Sequence, residues 1–316
     1  MSHYSDFEIR MKDYEKLYTS LKCMPQLPVF ARIDGRSFHT WTSDLKRPYD
    51  ERLSKLFVDT TKFLLEETGA KIGYTQSDEI TLCWFFEDYK SQLFFDGKIH
   101  KLNSVVASLA TGYFNKEVEN SPENGSQDFI PIKYVDGESG LTHRSLAFFD
   151  CRTWQVPNLD EAANVFLWRE QDATRNSITM AAQSVYSHKE LHEKSTKQMQ
   201  EMLHGKGINW NNYPSFFKKG TYLTRQKDEH FIPLGNNEES IYVDRTVIKE
   251  LEMPPFGRIE NRVGVLFKGE SIILREDKIK ESIQKARDSG AYDVAEHLAS
   301  MVVGEPLDDG DKDNEH

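Results

Sequence analysis

An α+β fold of ferredoxin-like type, an antiparallel sheet with helices on one face, is what the sequence predicts. Three observations carry that prediction. A short apolar run ends at Asp34, two strand-like runs flank Gln76-Ser77-Asp78, and amphipathic helical stretches separate these segments from each other and from a later strand. Strand, helix, hairpin, helix, strand is the split βαβ order.

Taken in sequence, residues 27–34 read as a buried strand that stops at an aspartate. Asp50 suits the N-cap of the helix that follows. Leu53, Leu56, Phe57, Thr60 and Leu64 fall at spacings of three and four, and Gly69 sits where a C′ glycine belongs. Residues 70–75 and 79–86 supply the hairpin strands. In the second, Ile80, Leu82 and Trp84 alternate with Thr81, Cys83 and Phe85, so both faces are covered. A helix near 98–118 carries Leu102, Val106, Leu109 and Tyr113 along one side, and residues 146–150 form another strand. A second helical stretch covers 159–204, a last amphipathic helix lies near 276–302, and residues 121–143 and 226–262 read as loops or irregular hairpins. The predicted organisation is a catalytic domain over 1–155, a helical and C-terminal part of the same catalytic unit over 156–304, and a disordered acidic tail over 305–316.

Composition narrows the function. A chain of 316 residues with 38% hydrophobic and 12% aromatic residues is built to bury a core. The longest strongly apolar run, residues 80–86, is strand length and cannot span a bilayer. The first six residues are polar and predict no signal peptide. Cys23, Cys83 and Cys151 show no CxxC spacing and read as free thiols of a cytoplasmic protein; Cys83 fits a small core residue. The net charge of −11 argues against nucleic acid at first sight, yet residues 305–316 carry six acids and one lysine. Phosphate binding needs a local basic patch rather than a basic protein.

The chemistry is suggested by acids. Asp34 closes the first strand and Asp78-Glu79 occupies the hairpin bend, and in a split βαβ sheet those two points meet at one edge. Carboxylates converging there are what a two-metal phosphoryl-transfer site requires, and hard oxygen ligands suit Mg²⁺. Gly35 permits close approach of backbone to a metal or phosphate, and Lys46, Arg47 and Lys101 are cations that could neutralise a triphosphate. Residue types alone equally admit a plain turn at Asp34-Gly35, a solvated bend at Asp78-Glu79 and surface charge at the lysines and arginines. His188 and His192, four apart, lack the glutamate pairing of zinc proteases and fit a solvated helix face.

Three stretches carry a resemblance: Ala31-Arg-Ile-Asp-Gly-Arg-Ser-Phe-His39, Lys46-Arg-Pro-Tyr-Asp50 and Gly73-Tyr-Thr-Gln-Ser-Asp-Glu79. Weaker agreement continues through Phe149-Asp-Cys-Arg152, Trp168-Arg169, Ile208-Asn-Trp-Asn-Asn212 and Lys219-Gly-Thr221. In these the chain resembles the tRNA-histidine guanylyltransferase family, including its guanylyltransferase-like branch. The resemblance implies a polymerase/cyclase palm with a helical C-terminal extension, working in the 3′-to-5′ direction on a tRNA 5′ end first activated by ATP or GTP. It implies two Mg²⁺ ions held by Asp34, the Gly35 carbonyl and Asp78, with Glu79 as a third catalytic residue. Nucleotide contacts are implied for Asp34, Gly35, Arg36, Ser37, Phe38, His39, Ser77, Asp78 and Asn176, and triphosphate contacts for Arg47 and Lys101. A homotetramer and no membrane association are also implied. One departure stands out: the His-Ile-Asn-Asn segment of the eukaryotic branch is here Thr174-Arg175-Asn176-Ser177, which favours templated repair over strict tRNA-His recognition. The rival readings are a palm-type nucleotide cyclase and a non-catalytic RNA-binding protein.

Overall fold

A computed structural model describes residues 5–120, 134–135, 142–143, 146–233, 240–289 and 291–303. The predicted tail at 305–316 and most of the predicted loop at 121–143 lie outside the described residues. Two compact units divide the chain, residues 1–252 and 253–316. The change of character expected after residue 155 falls at a strand-to-helix junction inside the first unit.

In the first unit, α1 (Asp6–Thr19) precedes β1 (Val29–Gly35), the short α2 (Phe38–Trp41) and α3 (Glu51–Thr68). Asp50 caps α3 by accepting from the Arg52 backbone N–H at 3.1 Å, and Gly69 ends it in the left-handed conformation at φ +68°. Both are the expected residues doing the expected local work. The hairpin β2 (Ile72–Gln76) and β3 (Glu79–Trp84) follows, then α4 (Ile99–Asn120), two short bridged strands β4 (Tyr134–Val135) and β5 (Thr142–His143), and β6 (Phe149–Gln155). The last of these begins three residues later than the sequence suggests. Helices α5 (Leu159–Gln183), α6 (His188–Leu191), α7 (Thr196–Gly205) and α8 (Ser215–Lys219) lead into the ribbon β7 (Thr221–Pro233) and β8 (Ser240–Leu251).

The sheet order is β6-β1-β3-β2-β7-β8, and every pairing is antiparallel. Its first four strands have the ferredoxin-like arrangement that the split βαβ order predicts. Alternation along β1 separates two faces. Val29, Ala31 and Ile33 point into a core with Leu82 and Trp84, covered by Leu56, Phe57, Leu64 and Leu65 of α3 and Leu102, Val106, Ala110 and Phe114 of α4. On α4 the buried stripe is therefore 102, 106, 110 and 114; Leu109 and Tyr113 flank it, with Tyr113 stacked on Phe63 at 4.3 Å.

The opposite face carries α5. Phe30 packs between Trp154 and Phe166, each 5.5 Å away centroid to centroid. The second half of α5 forms its own apolar cluster with α6, α7 and α8 through Ile178, Ala181, Leu191, Met199, Leu203 and Phe217. Tyr49 of the Lys46–Asp50 segment joins that cluster, 4.9 Å from Phe217.

Two segments differ from the sequence reading. Residues 226–233 and 240–251 are not irregular: β7 and β8 pair from Tyr222↔Leu251 to Pro233↔Ser240, while β2 reaches only as far as Thr224. Gln226, Lys227, Asp228, Arg245, Lys249 and Glu250 interrupt the apolar alternation along that ribbon, so no clean period-two signal marks it. In the second unit, described by itself, the single helix predicted near 276–302 is two, α10 (Arg275–Asp288) and α11 (Tyr292–Val303), after α9 (Arg262–Lys268). Arg258 grips Glu276 there with paired bonds of 2.7 and 2.6 Å.

Candidate active site

The end of β1 and the β2–β3 bend meet, as the split βαβ order requires. The Gly35 N–H donates to the Asp78 carbonyl at 3.1 Å, and the Arg36 N–H donates to the Phe148 carbonyl at 2.8 Å. Asp34 thus ends a central strand stitched on one side to the hairpin bend and on the other to the approach to β6. Register sets Asp34 opposite Glu79 on β3 and opposite Asp150 on β6. Opposed residues share a face, so three acids form a row across the sheet, with Gln76 continuing it on β2.

Two backbone features hold this corner. A Cβ on Gly35 would come 2.3 Å from Cδ2 of Phe38, so the close approach of that ring demands glycine. Ser37 and Ser77 both adopt left-handed backbone, at φ +54° and +56°. Such conformations cost non-glycine residues about 1–3 kcal/mol each and persist where surrounding structure enforces them.

Above the row lies a cavity of about 550 Å³ between the sheet and α5. Arg32, Asp34, Tyr74, Gln76, Ser77, Asp78 and Glu79 form its sheet side, and Trp168, Arg169, Asp172, Asn176, Thr179 and Met180 form its helix side. Burial, and then the negative charge of Asp34, push the Asp78 carboxyl above its usual range; its own backbone N–H, the Ser77 hydroxyl and His39 oppose this only in part. Two carboxylates that repel each other beside a backbone carbonyl are a donor set a divalent cation would relieve. Among the described residues no group of three or more His, Cys, Asp or Glu has metal-holding geometry. A two-carboxylate set fits Mg²⁺, which keeps waters and substrate phosphates as its other ligands.

Glu79 is occupied differently. Its oxygens accept from Arg169 Nε at 2.7 Å and Nη2 at 2.9 Å. Arg169 Nη2 also reaches Asp172 at 2.6 Å, and Arg175 closes the chain at 3.1 Å from the same carboxylate. Burial raises the Glu79 carboxyl, while Arg169 and Arg32 pull it down. This alternating ladder ties α5 to β3 beside Asp34 and Asp78. The sequence marked Trp168-Arg169 only as a weak likeness; the spacing of Arg169, Asp172 and Arg175 by threes was the available signal.

The remaining predicted residues separate. Ser77 and Asn176 line the cavity with the acids. Phe38 is 3% exposed and packs on Trp41, Phe57, Phe114 and Phe149, so its ring belongs to the core. Arg36, Ser37 and His39 are exposed beside the Asp34 turn, and His39 Nε2 lies 3.1 Å from the Thr40 hydroxyl. Arg47, donating to the Thr42 carbonyl at 3.4 Å, and Lys101, whose Nζ lies 5.5 Å from the Phe95 ring centre, are outside the cavity lining. Cys83 is fully buried, and burial drives its thiol far above the ordinary value, as befits a core residue. Among the described residues no helix is long and apolar enough to cross a membrane.

Comparisons with known proteins agree with this fold. The profile of the family described as tRNAHis guanylyltransferase matches residues 8–157. An uncharacterised protein of Acanthamoeba polyphaga mimivirus is 30% identical over 228 residues, covering 69% of this chain and 76% of that protein. The tRNA(His) guanylyltransferase of Schizosaccharomyces pombe is 28% identical over 230 residues, covering 68% and 79%. A solved bacterial tRNA(His) guanylyltransferase-like protein in complex with ATP is 34% identical, covers 76% of this chain and 91% of its own, and superposes with a TM-score of 0.60. The same description in complex with GTP gives 32% identity, coverage of 82% and 99%, and a TM-score of 0.60.

Proposed function

The chain belongs to the tRNAHis guanylyltransferase family, and from that premise we propose that it adds nucleotides to the 5′ end of a tRNA, in the 3′-to-5′ direction, after activation of that end by a nucleoside triphosphate. The observation that carries this reading is the meeting of Asp34 with Asp78 in a cavity large enough for a nucleotide. Relatives solved with ATP and with GTP support both nucleotides as substrates.

Asp34, the Gly35 carbonyl and Asp78 would hold Mg²⁺, which when bound supplies charge neutralisation and activation at the reacting phosphate. Glu79, clamped by Arg169, keeps α5 against the sheet edge and so keeps Asn176 facing the acids. The Asp34 and Asp78 carboxylates line the cavity together, where they would also orient an attacking hydroxyl. Arg47 and Lys101, which the family resemblance assigns to triphosphate, act from outside the cavity, on the outer phosphates. Charge removal at either should raise the nucleotide KM more than it lowers kcat.

The segment Thr174-Arg175-Asn176-Ser177 supports relaxed tRNA choice. Asn176 faces the cavity, but Ser177 is buried and accepts from Trp210 Nε1 at 3.1 Å, and Arg175 pairs with Asp172. Those two are engaged within the protein, so base pairing with the opposite acceptor strand would position the incoming nucleotide. Self-association, tetrameric by the family resemblance, is supported by α1: none of its residues is buried, and Phe7, Tyr14, Leu17 and Tyr18 are exposed. Free cysteines, with burial pushing Cys23 up to about 11 and Cys151 up to about 12, suit a reducing cytoplasm.

The test is a competition. Radiolabelled GTP is offered with Mg²⁺ to equal amounts of a 5′-truncated tRNA and a full-length tRNA-His. Label entering the truncated end opposite an unpaired base is expected. Preference for untemplated addition to tRNA-His would return the protein to the strict histidine role, and conversion of GTP alone into a cyclic nucleotide would favour the cyclase reading.

A further inference from the structure

The register that aligns the acids also aligns two arginines. Across β1 and β6, Arg32 stands directly opposite Arg152, one pleat before Asp34 opposite Asp150. Opposed residues in an antiparallel ladder project from one face with Cβ atoms about 4.5–5.5 Å apart, and like charges there destabilise the pair. Neighbouring carboxylates discharge it only in part. Both Glu79 oxygens already accept from Arg169 at 2.7 and 2.9 Å. Arg32 Nε stays 3.8 Å from Glu79 and is a buried donor without a hydrogen-bond partner. Arg152 lies 3.5 Å from Asp150, with side chains 58% and 55% exposed, a separation and an exposure at which ion pairs are weak.

Arg32 lines the cavity, its guanidinium 5.8 Å from the centre of the Trp168 ring, and Trp168 is itself 46% exposed. Arg152 stands beside it in register on the exposed edge strand β6, outside the cavity lining. Guanidinium pairs match the spacing and charge of phosphate oxygens, and they are weakly hydrated enough to give up water for them.

We infer that Arg32 and Arg152 form an anion subsite that takes a phosphate group of a substrate entering the cavity. The inference rests on the nucleotidyl-transfer reading for the identity of that substrate. Two residues along a strand span roughly 7 Å, so the phosphate held here is a neighbour of the reacting one rather than the reacting one itself. A neighbouring phosphate has two sources, the triphosphate chain of the nucleotide or the backbone of the RNA acceptor strand, and the chemistry that recognises them is the same. No step of bond making is assigned to either arginine; they bind and orient.

The experiment is equilibrium binding, read by calorimetry without turnover. Wild type, Arg152→Ala and Arg152→Lys are each titrated with inorganic tripolyphosphate and with a 5′-phosphorylated acceptor-stem RNA. Arg152 is on an exposed edge, so both variants are expected to fold, checked by Tm. Loss of a charge-assisted contact should weaken one ligand about tenfold or more in Arg152→Ala, with Arg152→Lys recovering part of the loss. A loss confined to tripolyphosphate identifies the nucleotide as source. A loss confined to RNA, with the salt slope reduced by about one, identifies the acceptor strand. Affinities within twofold of wild type for both ligands overturn the subsite. Failure of the wild type to extend any tRNA sinks the functional reading separately, because the binding comparison needs no transfer.

Discussion

The two faces of β1 are held by different physics. Val29, Ala31 and Ile33 are at most 1% exposed and are kept by close packing against α3 and α4. Phe30, Arg32 and Asp34 alternate with them, and only Phe30 is held by apolar contact, against Trp154 and Phe166. Beyond Phe30 the second face turns to charge: a row of acids, a row of arginines, and a ladder from Glu79 to Arg175. One face is complete as folded. The other carries like-charged neighbours, Asp34 beside Asp78 and Arg32 opposite Arg152, that a ligand would relieve further, and that difference separates a core from a site.

The largest expected effect breaks the second face without touching the first. Asp34→Ala or Asp78→Ala should lower nucleotide addition on the order of 10³-fold or more, since each would remove a ligand of the Mg²⁺ proposed at the reacting phosphate. Single-turnover incorporation of label, with circular dichroism confirming the fold, checks it. Normal turnover in either variant would mean that the acids are turn chemistry only.

Next comes the joint between the faces' helices. Arg169→Met strands Glu79 as a partly buried carboxylate without its fork and should cost about 3–5 kcal/mol of stability. The double variant Arg169→Met with Glu79→Gln should recover part of that, and urea unfolding of the four proteins in the cycle measures the coupling. Additive losses would show that the ladder does not act as a unit. On the apolar face, Leu82→Ala should cost about 2–5 kcal/mol through the cavity it leaves, while the folded fraction keeps wild-type kcat. A kcat loss beyond the unfolded fraction would show the two faces to be coupled.

The smallest effect is at the α3 cap. Burial alone would raise Asp50, but the Arg52 guanidinium and the backbone N–H groups of Lys46 and Arg52 outweigh it and hold the carboxyl below its ordinary value. A depressed carboxyl stabilises the fold above its unfolded pKa and loses that contribution as pH falls through the folded one. Asp50→Ala should therefore cost about 1 kcal/mol at pH 7, and the gap to wild type should close as pH drops below about 4. A gap that persists unchanged at pH 2 would remove the ion pair from the explanation.

Legibility in the sequence followed the same division. The apolar face and its caps could be read because period and capping are local: Leu56, Phe57 and Leu64 at helical spacing, Asp50 and Gly69 at the ends. Asp34 and Asp78 could be read because the split βαβ order brings a strand end to a hairpin bend. Arg169, Asp172 and Arg152 could not, since their meaning lies in register and in which helix crosses the face. The β7–β8 ribbon was missed because charged residues interrupt its alternation, and α1 for want of any buried residue to give it a stripe. Phe38 serves the fold as well: it lies inside the resembling stretch, yet its ring packs in the core and is what makes Gly35 necessary.

The most direct test of a face completed by ligand is the melting temperature of wild type and Asp78→Asn, each in chelator and in Mg²⁺ with GTP. Without cation, burial and the neighbouring Asp34 charge disfavour the Asp78 carboxylate in the folded state and so oppose folding above its unfolded pKa, so Asp78→Asn should melt above wild type. With Mg²⁺ and GTP the wild type should rise as ligand binding stabilises the folded state, and Asp78→Asn should gain far less. Equal melting in chelator together with equal gains on adding ligand would contradict the account.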